Sequence, residues 1–290
     1  MRNIFAAVLF LMFSSLIVYA GGDNDTSYWK TSGVGTLMFS QLSLTNWAAG
    51  GQNAVSLNTL VNLNANYKKN RTTLDNNLDV AYGIIKNAGE PHRKSDDRFE
   101  INSKFGQFAF KHWYYAALFS FKTQMAAGYN YPNDSVPISA FIAPAYSNIS
   151  IGMDFKPSPK FTLFLSPLTG KMTFVLDDSL SAKGVFGVEA GEKFRGEFGG
   201  YLKTVFKTEL GDNISFETKL DLFSNYLHNP QNVDVNWEVL ISMKVNKFIT
   251  TTINTLLIYD DDIMITDRHG KTGPRTQFKQ IFGLGLSYKF

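Results

Sequence analysis

The chain is expected to fold as an all-β protein, a transmembrane antiparallel up-and-down β-barrel of about twelve strands with short periplasmic turns and long extracellular loops. Three observations carry this expectation. Apolar and polar residues alternate with period two through most of the sequence, with no sustained helical period. After residue 20 no run approaches the ~20 apolar residues that a membrane helix requires, although 44% of residues are hydrophobic and 14% aromatic. The links between the alternating segments are short and long by turns, as turns and loops are in an outer-membrane barrel.

The leading residues stand apart. Arg2 supplies a positive start, Ile4 to Val18 is almost wholly apolar, and Val18-Tyr19-Ala20 places small residues at the two cleavage positions. That is the plan of a secretory signal peptide. The expected division is a signal peptide at 1–20, an N-terminal periplasmic segment at 21–32 and an outer-membrane barrel at 33–290. Cleavage near Ala20 would deliver the chain to the outer membrane of a Gram-negative cell. Absence of cysteine excludes disulfides and a cysteine-linked lipid anchor.

Alternation places strands at 33–44, 54–68, 72–86, 97–109, 112–129, 146–156, 160–166, 196–210, 213–227, 234–246, 248–260 and 278–290. Residues 171–176 either extend the seventh strand or belong to a loop. In the second strand Val55, Leu57, Val61, Leu63 and Tyr67 oppose Ser56, Asn58, Asn62, Asn64 and Asn66. In the fifth, Trp113, Tyr115, Phe119, Phe121, Met125 and Tyr129 oppose His112, Ser120, Lys122 and Gln124. The ninth sets Ile214, Phe216, Leu220, Leu222 and Tyr226 against Ser215, Glu217, Lys219, Asp221 and Asn225. The last sets Phe282, Leu284, Leu286, Tyr288 and Phe290 against Gly283, Gly285, Ser287 and Lys289. Successive strand side chains point to opposite faces, so each strand has a greasy face for lipid and a polar face for a lumen.

Links near 69–71, 110–111, 157–159, 211–212 and 247 are tight, and those near 45–53, 87–96, 130–145, 167–195, 228–233 and 261–277 are long. With an even strand count, every tight link falls at the periplasmic end. Tyr67, Tyr82, Trp113, Tyr129, Tyr226, Trp237, Tyr259 and Phe290 lie near apolar-face ends, where amphipathic rings favour the headgroup level.

The polar face carries the candidate functional residues: Asp75, Asp79, Glu100, Lys104, Glu197, Lys203, Glu217, Lys219, Asp221, Glu238 and Lys244, with Asn77, Lys122, Lys207 and Glu209. Both signs are present, which argues against a strongly ion-selective pore and calls for pairing or hydration of each charge. A net charge of +3 leaves no footprint of nucleic-acid binding.

Several blocks carry a resemblance to a known family. They are Ser43-Leu44-Thr45-Asn46-Trp47-Ala48-Ala49-Gly50-Gly51, Leu78-Asp79-Val80-Ala81-Tyr82-Gly83, Arg93-Lys94-Ser95-Asp96-Asp97 and Ala143-Pro144-Ala145-Tyr146. Leu165-Ser166-Pro167-Leu168-Thr169-Gly170-Lys171, Leu220-Asp221-Leu222-Phe223-Ser224-Asn225-Tyr226-Leu227 and Tyr259-Asp260-Asp261-Asp262-Ile263 complete the set. Together they are similar to the domain-of-unknown-function family 3078 (DUF3078), found in Bacteroidota and regarded as outer-membrane barrels. The resemblance implies the architecture and brings no activity with it.

Chemistry is thinly signalled. The four histidines are His92, His112, His228 and His269, none paired with a serine at facing strand positions. His228, after Ser224-Asn225, is the best placed for a lipid hydrolase, and an exposed loop histidine is the plainer reading. Asp260-Asp261-Asp262 with Asp267 lacks the spacing and glycine of a calcium loop and reads as a solvated acidic loop. No cofactor, metal or catalytic set is expected. Arg93-Lys94, Lys193 with Arg195, and Arg268 with Lys271 and Arg275 are positioned to meet lipopolysaccharide phosphates. The expected partners are therefore outer-membrane lipid and lipopolysaccharide, the barrel-assembly machinery during insertion, and a small-molecule ligand; no oligomeric state follows. Twelve strands lie between barrels that fill their lumen and those that leave a wide channel. The leading expectation is a passive channel or binding barrel for a small molecule or lipid. A structural, partner-docking barrel and an outer-leaflet hydrolase are the alternatives.

Overall fold

The computed structural model describes residues 28–45, 52–266 and 270–289. The expected signal peptide, Asn46 to Gly51, Asp267 to His269 and Phe290 lie outside the described residues. In chain order the strands are β1 (Trp29–Leu42), β2 (Ala54–Lys69), β3 (Thr72–Asn87), β4 (Arg93–Phe110), β5 (Trp113–Thr123), β6 (Gly128–Tyr129), β7 (Pro137–Ser139), β8 (Ala145–Ser158) and β9 (Phe161–Phe174). After a one-turn helix α1 (Asp178–Ser181) come β10 (Phe194–Glu209), β11 (Ile214–Asn225), β12 (Val233–Lys244), β13 (Ile249–Tyr259), β14 (Met264–Thr266), β15 (Thr272–Pro274) and β16 (Gln277–Lys289).

Twelve of these close into one antiparallel barrel in the order β1-β16-β13-β12-β11-β10-β9-β8-β5-β4-β3-β2. Closure is made by β1 on β16, from Val34 opposite Lys289 to Phe39 opposite Leu284. A closed ring satisfies every strand through its neighbours, which is the condition for crossing hydrocarbon. β6 with β7, and β14 with β15, form small hairpins within the long links. The tight links therefore gather at one end and the long links at the other.

The alternation read from the sequence maps onto the two faces. On β16, Phe282 is 65% exposed and Leu286 59%, while Gly283 faces inward against Met38. Phe39, Phe105, Phe119, Ile149, Ile151 and Leu168 are exposed on other strands in the same way. A water-soluble protein rarely leaves so continuous an apolar girdle uncovered, whereas a lipid-facing wall requires it. The chain is a transmembrane β-barrel. Aromatics cluster at the tight-turn end, where Trp29 packs on Tyr67 at 5.2 Å and Trp113 on Phe155 at 4.8 Å between ring centroids.

Four strand ends differ from expectation by four residues or more. β1 begins at Trp29, inside the segment expected to precede the barrel, because Trp29 to Ser32 pair with Asn64 to Tyr67 of β2. β4 begins at Arg93, since a bulge between Gly83 and Ile84 lets its ladder with β3 continue into the expected loop. β5 stops at Thr123 because the carboxylate of Asp97 takes the amide protons just beyond it, from Met125 at 2.7 Å and Ala126 at 2.9 Å. Tyr129, expected on that strand's outer face, sits instead in the β6 hairpin.

The largest correction concerns β9. It runs unbroken to Phe174, so the link expected at 167–195 spans only 175–193. Against both neighbours one extra β9 residue is accommodated around Pro167: Leu165 and Leu168 face Met153 and Ile151 of β8, and Ser166 and Thr169 face Tyr201 and Gly199 of β10. Proline has no N–H to give a ladder and is placed at such bulges. The bulge switches the inward parity from Phe164 and Ser166 to Thr169, Lys171 and Thr173, which breaks the alternation in the sequence. Gly152 faces the bulge because a Cβ there would lie 2.0 Å from the Leu165 carbonyl oxygen.

Candidate functional site in the lumen

Inward positions on facing strands bring the polar residues into one space. Strands β3 and β11 lie opposite each other in the ring, as do β4 and β12. Lys219 of β11 reaches Asp79 of β3 at 3.0 Å, and Arg98 of β4 reaches Glu238 of β12 at 2.9 Å. Both ion pairs span the lumen. Asn62 donates to Asp79, and Asn254 donates to Glu238 at 2.9 Å, so each carboxylate is held by a second donor. Glu217 adds a further contact to Lys219 at 3.4 Å and pairs with Lys207 at 3.2 Å. Two charges taken from water need this degree of pairing to stay charged in a restricted interior.

Towards the tight-turn end the filling continues. Lys104 meets Asp154 at 2.8 Å, and Lys156 meets Asp75 at 2.6 Å and Asp154 at 3.1 Å. An apolar cluster of Ala116, Leu118, Phe164, Tyr201 and Phe223 occupies the β5-to-β11 side, with Phe164 only 1% exposed. The Tyr201 hydroxyl donates to Asp221 at 2.8 Å, which lets an aromatic ring stay buried with its polar end satisfied.

Above these bridges lies a cavity of about 640 Å³ on the long-loop side. Tyr201 and Phe223 form part of its floor, Leu256, Ile258 and Tyr259 an apolar wall, and Ile138 and Phe186 part of its roof. The roof is built from the links at 124–144 and 175–193, which share a small core of Ala143, Val175, Leu180 and Val188. Asp177 caps α1, accepting from the Ser179 and Leu180 amides at 3.0 Å each and from the Ser179 hydroxyl at 2.7 Å. These bonds hold its carboxyl below the usual carboxylate range, the Ser179 hydroxyl contributing most. Phe186 holds a left-handed backbone at φ 59°, a conformation that bulky residues rarely adopt.

Most of the charged cavity wall is internally neutralised. Lys171 binds Asp234 at 2.6 Å, Asp260 at 3.3 Å and Glu197 at 3.5 Å. Lys203 binds Asp221 at 3.1 Å, and Lys279 binds Asp96 at 2.6 Å. Lys94 binds Asp97 at 2.9 Å. Glu100 and Lys122 behave differently. They are direct cross-strand partners on β4 and β5 and both line the cavity. Neither enters an ion pair among the described residues; Glu100 accepts only from Asn102, at 2.9 Å.

Of the residues read as lumen-facing, Asp75, Asp79, Lys104, Glu217, Lys219 and Glu238 belong to the bridged and filled part. Glu100, Lys203 and Asp221 line the cavity. Glu197 lies beside it, held by Arg195 at 3.2 Å as well as by Lys171. Lys244 is exposed at the tight-turn mouth and joins neither group. Arg98, Asp154, Lys156, Lys171, Asp234 and Lys279 were not singled out in the sequence. Their inward parity was readable on all but Lys171, which the β9 bulge concealed. His228 is exposed and sits 3.1 Å from Asn229, and no group of acidic or histidine residues fit to hold a metal occurs among the described residues.

The fold and the lumen together define a class: a twelve-stranded transmembrane barrel whose interior is bridged by ion pairs beneath a roofed cavity. Residues 39–129, from β1 to β6, match the family described as "Protein of unknown function (DUF3078)", so the resemblance drawn from the sequence holds over that segment. No curated protein matches the chain. Among solved structures it is similar to an outer membrane channel from Pseudomonas putida F1, at 11% identity over 93% of this chain and 100% of that one, with a TM-score of 0.41. It is also similar to the translocator domain of the autotransporter NalP from Neisseria meningitidis, at 10% identity over 99% and 98% of the two chains, TM-score 0.38. Outer membrane phospholipase A from Escherichia coli is similar at 12% identity over 92% and 94%, TM-score 0.38.

Proposed function

We propose that the protein is an outer-membrane binding barrel, closed to free passage, that receives a small molecule or lipid from the long-loop side. The observation that supports this most directly is the pair of cross-lumen bridges, Asp79 to Lys219 and Arg98 to Glu238, below a cavity large enough for a small ligand. A passive channel needs a continuous polar path, and here charged side chains from opposite walls meet across it. Placement in the outer membrane rests on the leader expected at 1–20 and on the apolar outer wall. In this reading the tight turns face the periplasm and the roofed cavity faces outward. No bond-breaking step is assigned, and His228 serves as a loop residue.

Planar-bilayer recording of the purified full chain, paired with mass spectrometry of small molecules released from protein taken from native membranes, tests the proposal. The expected result is no steady conductance and a molecule recovered in stoichiometric amount. A stable ohmic conductance would overturn the closed lumen. No conductance together with no recovered molecule would overturn the binding role.

A further inference from the structure

Among the described residues ten charged side chains line the cavity, five acidic and five basic, and eight of them are neutralised by each other or by a residue beside the cavity. The remaining two are Glu100 and Lys122. Their backbones face each other in the β4–β5 ladder, a placement from which opposite charges ordinarily join. Instead the Lys122 ammonium makes no hydrogen bond or ion pair among the described residues, and Glu100 is met only by the Asn102 amide. The two heads therefore present opposite charges to the same cavity, side by side and without a contact ion-pair partner, while the other lumen charges act on them from farther off. An ion in a restricted interior is stabilised by a complementary ion at contact far more than by a distant one. The wall opposite supplies Leu256 and Ile258, and the floor supplies Phe223, which suit an apolar body rather than a second polar group.

We propose that the cavity binds a small amphipathic zwitterion, with Lys122 meeting its anionic group and Glu100 its cationic group. This rests on the binding-barrel reading and supplies its ligand class. A ligand of one charge would satisfy one of the two heads and leave the other without a partner at contact. A zwitterion satisfies both and leaves the rest of the wall network intact. The shared chemistry, an ammonium and a carboxylate or phosphate a few bonds apart, occurs both in amino-acid-like molecules and in the phosphoethanolamine head of a lipid.

The test is calorimetric titration of the full chain in maltoside micelles, which carry no charge of their own. The probes are L-phenylalanine as zwitterion, N-acetyl-L-phenylalanine as anion, L-phenylalanine amide as cation, and phosphorylethanolamine and dihexanoylphosphatidylethanolamine as the lipid-derived pair. At least one zwitterion is expected to bind at least 10-fold more tightly than the single-charge probes. Tight binding by dihexanoylphosphatidylethanolamine alone assigns the lipid source, and binding by phenylalanine assigns the free molecule; both support the proposal. Lys122→Met should weaken the zwitterion 10-fold or more without weakening the cation, Glu100→Gln should do the same without weakening the anion, and Lys122→Arg should restore binding. Heat-modifiable gel migration checks that each variant is a folded barrel, and Lys122→Arg carries the test if Lys122→Met fails that check. Single-charge probes binding as well as the zwitterions, no zwitterion binding at all, or unchanged affinity in both variants would overturn the proposal. Bilayer recording on the same samples separates the two failures. A closed lumen that prefers a single-charge probe sinks only the zwitterion, whereas an open one sinks the binding barrel.

Discussion

The two halves of the lumen use the same kinds of residue to different ends. Below, every inward charge that the cross-lumen bridges involve has a protein partner, and Phe164 and Leu118 fill the space between. Above, the wall is also dense in charge, yet two adjacent heads are left without ion-pair partners among the described residues, around a hollow. The difference teaches that charge in a barrel interior is no signature of a path for ions. What distinguishes a floor from a site is whether the charges have already been matched by the chain itself.

The largest effect should come from breaking the floor's apolar part. Phe164→Ala removes a ring that is 1% exposed, stacks edge-on to Tyr201 at 6.4 Å and lies 6.0 Å from the Lys104 ammonium. Truncating a fully buried aromatic costs about 3–4 kcal/mol, in transfer energy and in the cavity left behind. Urea titration of refolding into lipid vesicles, followed by tryptophan fluorescence, measures the loss. A change below ~1 kcal/mol would mean that the cluster is loose and that the floor depends on its ions alone.

Next in size is the cross-lumen pair. Asp79→Ala leaves the Lys219 ammonium with Glu217 as its one contact ion-pair partner among the described residues, and should cost about 2–4 kcal/mol because a restricted charge loses its closest partner. Replacing both, as Asp79→Leu with Lys219→Leu, removes the stranded charge and should recover most of that loss. The contrast between single and double variants separates a pair that holds the floor from one that merely fills it. If the double variant is as unstable as the single, the bridge itself is the structural element. Equal stability of all three forms would show that water, not the partner, solvates Lys219.

How much of this was legible in the sequence depends on how local the evidence is. The outer face of β16 could be read from five alternating residues, because a strand's two faces are written into its parity. The same parity put Asp79, Glu100, Lys219 and Glu238 inside the barrel. Partnership was another matter. Asp79 and Lys219 are 140 residues apart and meet only because β3 and β11 stand opposite in a closed ring, which no local pattern encodes. Lys171 was lost for a different reason: the extra residue at Pro167 inverts the parity of β9, so an inward lysine reads as part of a loop. The end of β5 was misplaced because Asp97, a side chain on another strand, captures the amides that would have extended it. The vacancy of Glu100 and Lys122 is the least legible feature of all, since it consists in contacts that facing residues decline to make.

The smallest expected effect lies in the roof, and it tests whether roof and floor are independent. Asp177→Ala removes the oxygen that holds the first turn of α1 through Ser179 and Leu180. Loss of an exposed cap costs about 0.5–1 kcal/mol, and only locally. Hydrogen exchange should therefore quicken at the Ser179 and Leu180 amides while the barrel's urea midpoint stays in place. Acid should act in the same direction. The cap depresses the Asp177 carboxyl below its ordinary value, so its contribution is complete above that value and is lost as the pH falls through the lowered one. Leu180 shares its core with Val175 and Val188, and through the adjoining Phe186 that core reaches the cavity. A looser α1 should thus speed entry of ligand to the cavity and leave the floor closed. If Asp177→Ala instead lowered the stability of the whole barrel, roof and floor would be one cooperative unit, and the contrast between them would disappear.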